Sequence, residues 1–158
     1  LYTLPGEGQA PGTALRDGDL ITALILPSGG KRFAARARYM KLRDRTSYAF
    51  AIVSAAAMLQ IGDGRIKDAR LALGGVAAKP WRATKAEAVL NGAEASEASY
   101  RKAADAALAD AAPSGDNAHK IELAKRILIR ALKSAAAGTP PKMPALPGSV
   151  FAAGKEAR

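Results

Sequence analysis

Cysteine is absent from this sequence of 158 residues, and aromatic residues make up only 5% of it. The first absence excludes disulfides, thiolate zinc sites, cysteine-ligated iron–sulfur clusters and a thiol nucleophile in this chain. The second predicts a thin, alanine-rich core, since hydrophobic residues still reach 49%. The single histidine, His119, would leave a metal site only carboxylates as further ligands, so we interpret it as a surface or packing residue.

No uncharged apolar run reaches the roughly 18 residues that a membrane-spanning helix requires, so we expect no membrane segment in this sequence. Phosphate-binding patterns are missing as well: there is no G-x-G-x-x-G motif after a strand and no G-x-x-x-x-G-K-[ST] motif. The stretch SGGKR at 28–32 is interpreted as a hairpin turn, and Asp63 as a turn residue. No serine lies in a nucleophile-elbow pattern. By motif, the sequence contains no complete catalytic site.

Positive charge dominates the sequence, with a formal net charge of +10. Such a charge favours an anionic partner such as nucleic acid, anionic lipid or a phosphate-bearing ligand. Three cations, Lys41, Arg43 and Arg45, precede a stretch at 48–59 that has no charged residue. They form either a solvated edge, neutralised by Asp44 and neighbouring acids, or a surface on which something anionic docks.

The first half of the sequence predicts strands. Residues 1–19 are rich in Gly, Pro and Thr and predict an extended linker, and DLITALILP at 19–27 predicts a short strand. The alternation in 31–42 predicts a second strand with one solvated face. Its apolar face would carry Phe33, Ala35, Ala37 and Tyr39, and its solvated face Arg32, Arg36 and Arg38.

A β-hairpin is predicted around the turn Asp63-Gly64, which separates two apolar runs. It would pair residues near 50–61 with residues near 65–74 in antiparallel register. Residues 48–61 are ambiguous by themselves, because their Tyr, Phe, Ile and Val favour a strand whereas the alanines favour a helix. The turn between two runs of similar length favours the strand.

Two short helices are predicted after the strands. The first, at 84–92, has Thr84 as its N-cap and Gly92 as its end. The second, at 96–112, would be closed by Pro113.

A third helix is predicted at 115–138, with Asp116 or Asn117 as its cap. Its apolar stripe consists of Ile121, Ala124, Leu128, Ala131 and Leu132. Its basic face consists of Lys120, Lys125, Arg126, Arg130 and Lys133. Because Glu122 interrupts this face and no aromatic residue accompanies it, we interpret the face as solvated rather than nucleic-acid binding.

Strands followed by helices predict an α+β fold, in which a small antiparallel sheet of three to four strands carries three helices on one face. We divide the chain into a linker and strand at 1–30, a folded domain at 31–138 and a Pro-rich extended tail at 139–158. The tail cannot form a helix or a central strand because of its prolines. We expect Phe151 to anchor it to a neighbouring chain.

Three motifs resemble the C-terminal domain of the FAD-binding subunit in the xanthine dehydrogenase and carbon monoxide dehydrogenase family. They are K-x-R-D-R-x-S-Y-A-F-A at 41–51, A-R-L-A-L-G-G-V-A-x-K-P-W-R at 69–82 and K-I-E-L-A-x-R at 120–126. Within that family the sequence is most similar to the flavin subunit of bacterial molybdenum aldehyde oxidoreductases. The resemblance extends from about Leu15 to Leu146.

The resemblance implies a multi-subunit oxidoreductase. A molybdopterin-binding large subunit would oxidise the substrate, an iron–sulfur small subunit would carry electrons, and the flavin subunit would pass them to an acceptor. FAD would lie between this domain and a larger N-terminal FAD-binding domain that these residues do not include. We therefore expect no FAD on this chain by itself. The sequence does not determine the compartment: the resemblance allows the bacterial cytoplasm, or the periplasm by co-export with a signal-bearing partner.

Five residues match the positions that the family uses near its flavin: Lys41, Arg45, Tyr48, Ile52 and Lys67. The cations would stabilise the diphosphate and the negative charge that the flavin gains on reduction. Apolar residues such as Ile52 would cover the ring. No catalytic and no metal-binding residue is expected in the chain. The alternative function is a basic interaction or assembly module that binds a partner chain or nucleic acid without flavin.

Overall fold

The computed structural model describes residues 2–4 and 12–139. A 3-10 helix at Ser28–Arg36 precedes β1 (Ala37–Leu42), β2 (Val53–Gly62), β3 (Arg65–Gly74) and the short β4 (Trp81–Arg82). Three α-helices follow: α1 (Thr84–Leu90), α2 (Glu97–Ala107) and α3 (His119–Ala136). The predicted order of strands and helices, and with it the α+β class, is confirmed.

The sheet is an antiparallel meander in the order β1-β2-β3-β4. The predicted hairpin is confirmed, since β2 pairs with β3 from Ser54 opposite Gly74 to Gly62 opposite Arg65. Asp63 and Gly64 both have positive φ angles, 54° and 71°, as a two-residue turn of type I′ requires. The ambiguity of the alanine-rich run is therefore resolved in favour of the strand.

The helices lie on one face of the sheet and enclose the core. Helix α3 packs on β1 and β2, α1 packs on β3, and α2 contacts both other helices. The predicted stripe of α3 faces this core: Ala124, Leu128, Ala131 and Leu132 are buried and Ile121 is partly buried. The buried hydrophobic residues of the described chain include many alanines and only two aromatic residues, Phe33 and Tyr100.

The prediction of one strand at 31–42 is wrong in its first half. Residues 28–36 form a 3-10 helix, so SGGKR is also not a hairpin turn. A 3-10 helix has three residues per turn, which places Phe33 and Arg36 on one side. Phe33 is buried between the guanidinium groups of Arg32 and Arg70, whose carbons lie 4.9 Å and 5.8 Å from its ring centroid.

Two of the arginines that were expected on a solvated face instead stabilise the C-terminal end of α3. Arg36 donates to the carbonyl of Ala136, and Arg38 donates from Nη2 to the carbonyl of Gly138 at 2.9 Å. The last carbonyls of a helix lack intrahelical donors, so cationic donors there are favourable. Within β1, Met40 faces the core whereas Tyr39 is exposed, which reverses the predicted faces.

The predicted strand at 19–27 is wrong for the described chain. This segment has no strand assignment, and no described strand pairs with it. Its large apolar residues Leu20, Ile21, Leu24, Ile25 and Leu26 are exposed. A strand requires a neighbour for its backbone hydrogen bonds, and the described residues supply none.

The helix boundaries differ from prediction near their ends. Helix α2 starts after Ser96, whose hydroxyl accepts from Ser99 N–H, but ends at Ala107 rather than 112, because Pro113 also excludes the turn that precedes it. No side chain caps α1 or α3. The oxygen of Asn117 accepts from Ser114 N–H instead. The predicted anchor Phe151 and residues 140–158 lie outside the described residues.

Candidate functional site

The candidate site is a loop that joins β1 to β2 at one end of the sheet. We call residues 43–52 the site loop. Lys41 precedes it on β1, is exposed and pairs across the sheet with Ser54. Of the predicted site residues, Lys41, Arg45, Tyr48 and Ile52 are therefore brought to the same end of the sheet.

Arg45 holds the site loop in its conformation. Its Nη2 donates to the carbonyl of Tyr48 at 2.6 Å, while Tyr48 adopts a left-handed backbone with φ of 47°. A positive φ is unfavourable for a residue with a bulky side chain, so the contact from Arg45 helps to offset the strain. Among the described residues neither Arg43 nor Arg45 forms an ion pair, so neutralisation by Asp44 is not observed.

Two aromatic side chains of the site loop face solvent almost completely. Tyr48 is 97% exposed and Phe50 is 98% exposed. Isolated exposed apolar residues are ordinary, but two bulky aromatic rings beside three cations form an apolar and cationic surface that has no cover in the described chain. The sequence predicted a strand at Phe50 and did not reveal its exposure. The available signal was the high density of polar residues at 43–47, which favours a loop.

The end of the site loop is fixed by close backbone contacts with the segment after β3. Ile52 N–H donates to the carbonyl of Leu42 at 2.9 Å. Gly75 has a φ of 74°, and a Cβ atom there would lie 3.0 Å from the carbonyl oxygen of Ile52. Lys120 of α3 donates to the carbonyl of Gly75 at 2.7 Å. A side chain at position 75 would therefore push the site loop away.

A shallow surface of small residues adjoins the site loop on the sheet face opposite the helices. Lys41, Ser54 and Gly74 lie side by side across β1, β2 and β3. A Cβ atom at Gly74 would come within 2.5 Å of Ser54 Oγ, so only glycine fits there without a shift. The next row along these strands is Tyr39, Ala56 and Ala72. Ser54 is buried, and Ala56 and Ala72 are partly buried.

Lys67 is not brought to the site loop. It is the residue that the pairing of β2 with β3 skips, at an irregularity between Gln60 and Ile61. From Ser54 to this point the hairpin extends about 20 Å, at ~3.4 Å per residue. The ammonium group of Lys67 lies 3.6 Å from the carboxylate of Asp63 at the opposite end of the sheet.

The site contains no metal centre in the described residues, since no group of three or more His, Asp or Glu side chains there could hold an ion. His119 lies at the first position of α3. No described helix has the length and apolar character needed to cross a bilayer. The described site offers cations, aromatic rings and backbone groups, which can bind and position a ligand but do not form an acid–base or nucleophilic pair.

Comparison with known proteins gives a family for this chain. Residues 37–135 match the CO dehydrogenase flavoprotein C-terminal domain. The chain belongs to this family of flavoprotein domains, as the three sequence motifs predicted.

The individual relatives are subunits of oxidoreductases. The aldehyde oxidoreductase FAD-binding subunit PaoB of Escherichia coli (strain K12) is 45% identical over 139 residues, which cover 86% of this chain and 39% of PaoB. Quinoline 2-oxidoreductase from Pseudomonas putida 86 matches in structure with 30% identity and a TM-score of 0.60, over 66% of this chain and 38% of that chain. Carbon monoxide dehydrogenase from Hydrogenophaga pseudoflava matches with 32% identity and a TM-score of 0.61, over 66% and 37%.

These matches cover only part of each relative, so they do not assign the function of a whole relative to this chain. The chain spans about two fifths of the length of the relatives that it matches. The family match at residues 37–135 corresponds to the part of this chain from β1 to α3. Activity, substrate and subunit partners belong to whole proteins, so they are treated below as proposals.

Proposed function

We propose that this chain forms one wall of the flavin cleft in the FAD subunit of a molybdenum-containing hydroxylase, of the aldehyde oxidoreductase or xanthine dehydrogenase type. The observation that carries the proposal is the exposure of Tyr48 and Phe50 next to Lys41 at one end of the sheet. Membership of the flavoprotein family supplies the identity of the ligand. The E. coli relative is named as an FAD-binding subunit.

The residues of the site loop fit part of an FAD molecule. Tyr48, Phe50 and Ile52 provide apolar surface for a planar ring, and the small residues of the adjoining sheet face allow close approach. Lys41 and Arg45 provide positive charge for the diphosphate or for a ring that becomes negatively charged. When bound, FAD supplies the redox chemistry, and the residues of this chain orient it and shield one side from water.

The described residues do not offer a complete FAD site. Residues 12–139 contain neither a G-x-G-x-x-G loop nor a G-x-x-x-x-G-K-[ST] loop, the patterns that bind a diphosphate through backbone N–H groups. The second wall of the cleft therefore belongs to another part of the subunit. The exposed apolar side chains at 20–26 provide a surface against which that part can pack.

The role of the complete subunit follows from the proposed family function. It would accept electrons from an iron–sulfur subunit and pass them to the final acceptor, while a molybdopterin-binding large subunit oxidises the substrate. Lys67 lies about 20 Å from the site loop by the register of the hairpin, so we assign it no direct contact with the ring.

The test uses the complete FAD subunit with single substitutions in this domain. Phe50→Ala removes an aromatic ring that would be buried by the flavin, a change worth ~1.5–3 kcal/mol at full burial. We expect the dissociation constant for FAD to rise at least tenfold. It is measured by the fluorescence of the flavin that is released on dilution. Lys67→Ala is the matched control and should leave the dissociation constant within twofold. Equal retention of FAD by the wild type and Phe50→Ala would contradict the proposed wall.

A further inference from the structure

A groove of about 440 Å³ lies between β1 and α3, at the outer edge of the sheet. Its floor is apolar and consists of Met40 and Leu42 from β1 and Leu123 and Ile127 from α3. Met40, Leu42 and Leu123 pack against the core but are only partly buried. The groove therefore leaves apolar surface in contact with solvent.

The charged residues of the described chain that line this groove are all cations. They are Lys41, Arg126 and Arg130, and no acidic side chain of residues 12–139 lines it. Arg126 pairs with Glu122 at 2.7 Å, but for Lys41 and Arg130 the described residues supply no ion pair. The rim thus presents positive charge that is not neutralised within the described chain.

A neighbouring groove between α2 and α3 is a useful contrast. Its volume is about 730 Å³, and it too is lined by cations. Arg126 and Arg130 line both grooves, but the neighbouring groove also contains the acids Asp105 and Glu122. Lys125 pairs there with Asp105, while Arg101 and Lys133 share Glu97. Because these acids offset its positive charge, that groove has less attraction for an anionic partner than the groove beside β1.

Among the described residues, β1 pairs only with β2, so its edge next to the apolar groove has no strand partner in this part of the chain. The carbonyl of Leu42 accepts from Ile52 N–H, so the peptide groups of Leu42 and Met40 face β2, whereas those of Tyr39 and Lys41 face outward. Thr139 covers only the start of the edge: its N–H donates to Ala35, and its hydroxyl bonds the backbone of Ala37.

We propose that this groove binds an extended acidic segment of another protein chain, which adds as a strand along the free edge of β1. Backbone hydrogen bonds to Tyr39 and Lys41 would provide affinity, and alternate apolar side chains would fill the floor. Acidic side chains would meet the cationic rim. This inference concerns a protein partner and does not depend on the proposed flavin site.

Charge and chemistry disfavour the other occupants of the groove. The chain's own residues 140–158 carry Lys142, Lys155 and Arg158 but only one acid, Glu156. Two copies of this chain joined at β1 would bring two cationic rims together. Nucleic acid is disfavoured because the floor contains no aromatic side chain on which a base could stack.

The experiment measures binding of a fluorescein-labelled, seven-residue peptide by fluorescence anisotropy at low salt. Its alternate positions, from first to last, carry glutamate, valine, valine and glutamate, because alternate side chains of a strand share one face and only that face meets α3. We expect the 158-residue chain to bind it, and the double variant Arg126→Glu/Arg130→Glu to bind at least tenfold more weakly. The matched control Lys125→Glu/Lys133→Glu makes the same charge change in the neighbouring groove and should change affinity less than threefold. Lys41→Glu replaces the double variant if circular dichroism shows that the latter does not fold.

A second peptide tests the strand pairing directly. Methylation of alternate backbone nitrogens removes the donors that would bond to β1, and we expect at least tenfold weaker binding. Absence of binding by the unmodified peptide, or equal binding by the methylated one, would overturn the proposal. The proposal would also be overturned if the control variant weakened peptide binding as much as the double variant does. Tighter binding of a 12-nucleotide single strand, or dimerisation of the chain through β1, would overturn it too. So would peptide binding that appears only after residues 140–158 are removed.

Discussion

Glu87 should be one of the most sensitive positions of this domain, because its carboxylate replaces a missing strand partner. Strand β4 has only two residues, so it provides backbone hydrogen-bond partners for only a short part of β3. Beyond β4 a side chain supplies the acceptor for the backbone of β3. Glu87 is buried in α1, and its Oε1 accepts from Leu71 N–H at 2.8 Å. The same carboxylate binds Arg82 through two hydrogen bonds of 2.5 Å and 2.9 Å.

The perturbation is Glu87→Ala. It leaves the N–H of Leu71 buried without an acceptor, which costs about 1–3 kcal/mol. Arg82 is about half exposed and regains water, so loss of its partner adds roughly 1 kcal/mol or less. The sum is roughly 2–4 kcal/mol, or a fall in melting temperature of roughly 6–15 °C for a domain of this size.

The assay is thermal and urea unfolding followed by circular dichroism. Glu87→Gln keeps an oxygen that can accept from Leu71 and should cost only about 1 kcal/mol. Glu122→Ala, which removes an exposed acid paired only with Arg126 on its own helix, should cost less than about 0.5 kcal/mol. If Glu87→Ala melts within 2 °C of the wild type, or no lower than Glu87→Gln, the assigned role of this carboxylate is wrong.

Two further predictions concern charge and backbone. Burial raises the pKa of Asp68, but the hydrogen bond from Arg32 and the charge of Arg70 outweigh it and hold that pKa below its usual value. At pH values above the unfolded-state pKa, which is near 3.8, the Asp68 carboxylate therefore stabilises the fold. This contribution is lost as the pH falls through the folded-state pKa of Asp68. Urea unfolding from pH 5 to pH 2 should show a smaller loss of stability for Asp68→Asn than for the wild type; parallel curves would refute it. Gly75→Ala should destabilise by ~1–3 kcal/mol, because it combines a positive φ with a contact of 3.0 Å to Ile52. Gly92→Ala, with a φ of 77° and open space around it, should cost only ~1 kcal/mol, and equal effects in urea unfolding would show that the contact is unimportant.

The parts of the fold that the sequence predicted correctly are those set by local chemistry. The turn Asp63-Gly64 fixes the hairpin because few residue pairs adopt two positive φ angles. The stripe of α3 is correct because helical periodicity determines which side chains share a face. Thr84 marks the start of α1, but it is the first residue of the helix and not its predicted N-cap, because Ala83 takes that position and no side chain caps the helix.

The errors arise where distant residues decide the structure. Alternation in 31–42 predicted a solvated row of arginines, but Arg36 and Arg38 bind the end of α3, some 100 positions away in sequence. The apolar segment at 19–27 has strand composition without a described strand beside it. For the candidate site the sequence singled out Lys41, Arg45, Tyr48 and Ile52, which lie at one end of the sheet. It did not reveal that Phe50 is exposed or that Lys67 lies at the far end of the hairpin.

The most direct test of the flavin-cleft proposal compares FAD binding by three proteins: the 158-residue chain, the complete FAD subunit, and that subunit without residues 31–138. Binding is measured by equilibrium dialysis and by the flavin absorption that remains after gel filtration. We predict stoichiometric FAD on the complete subunit, none on the 158-residue chain, and at least a tenfold loss of affinity after the deletion, with the remaining part shown to be folded by circular dichroism. Stoichiometric FAD on the 158-residue chain, or unchanged affinity after the deletion, would contradict the conclusion that this domain forms one of two walls around the flavin.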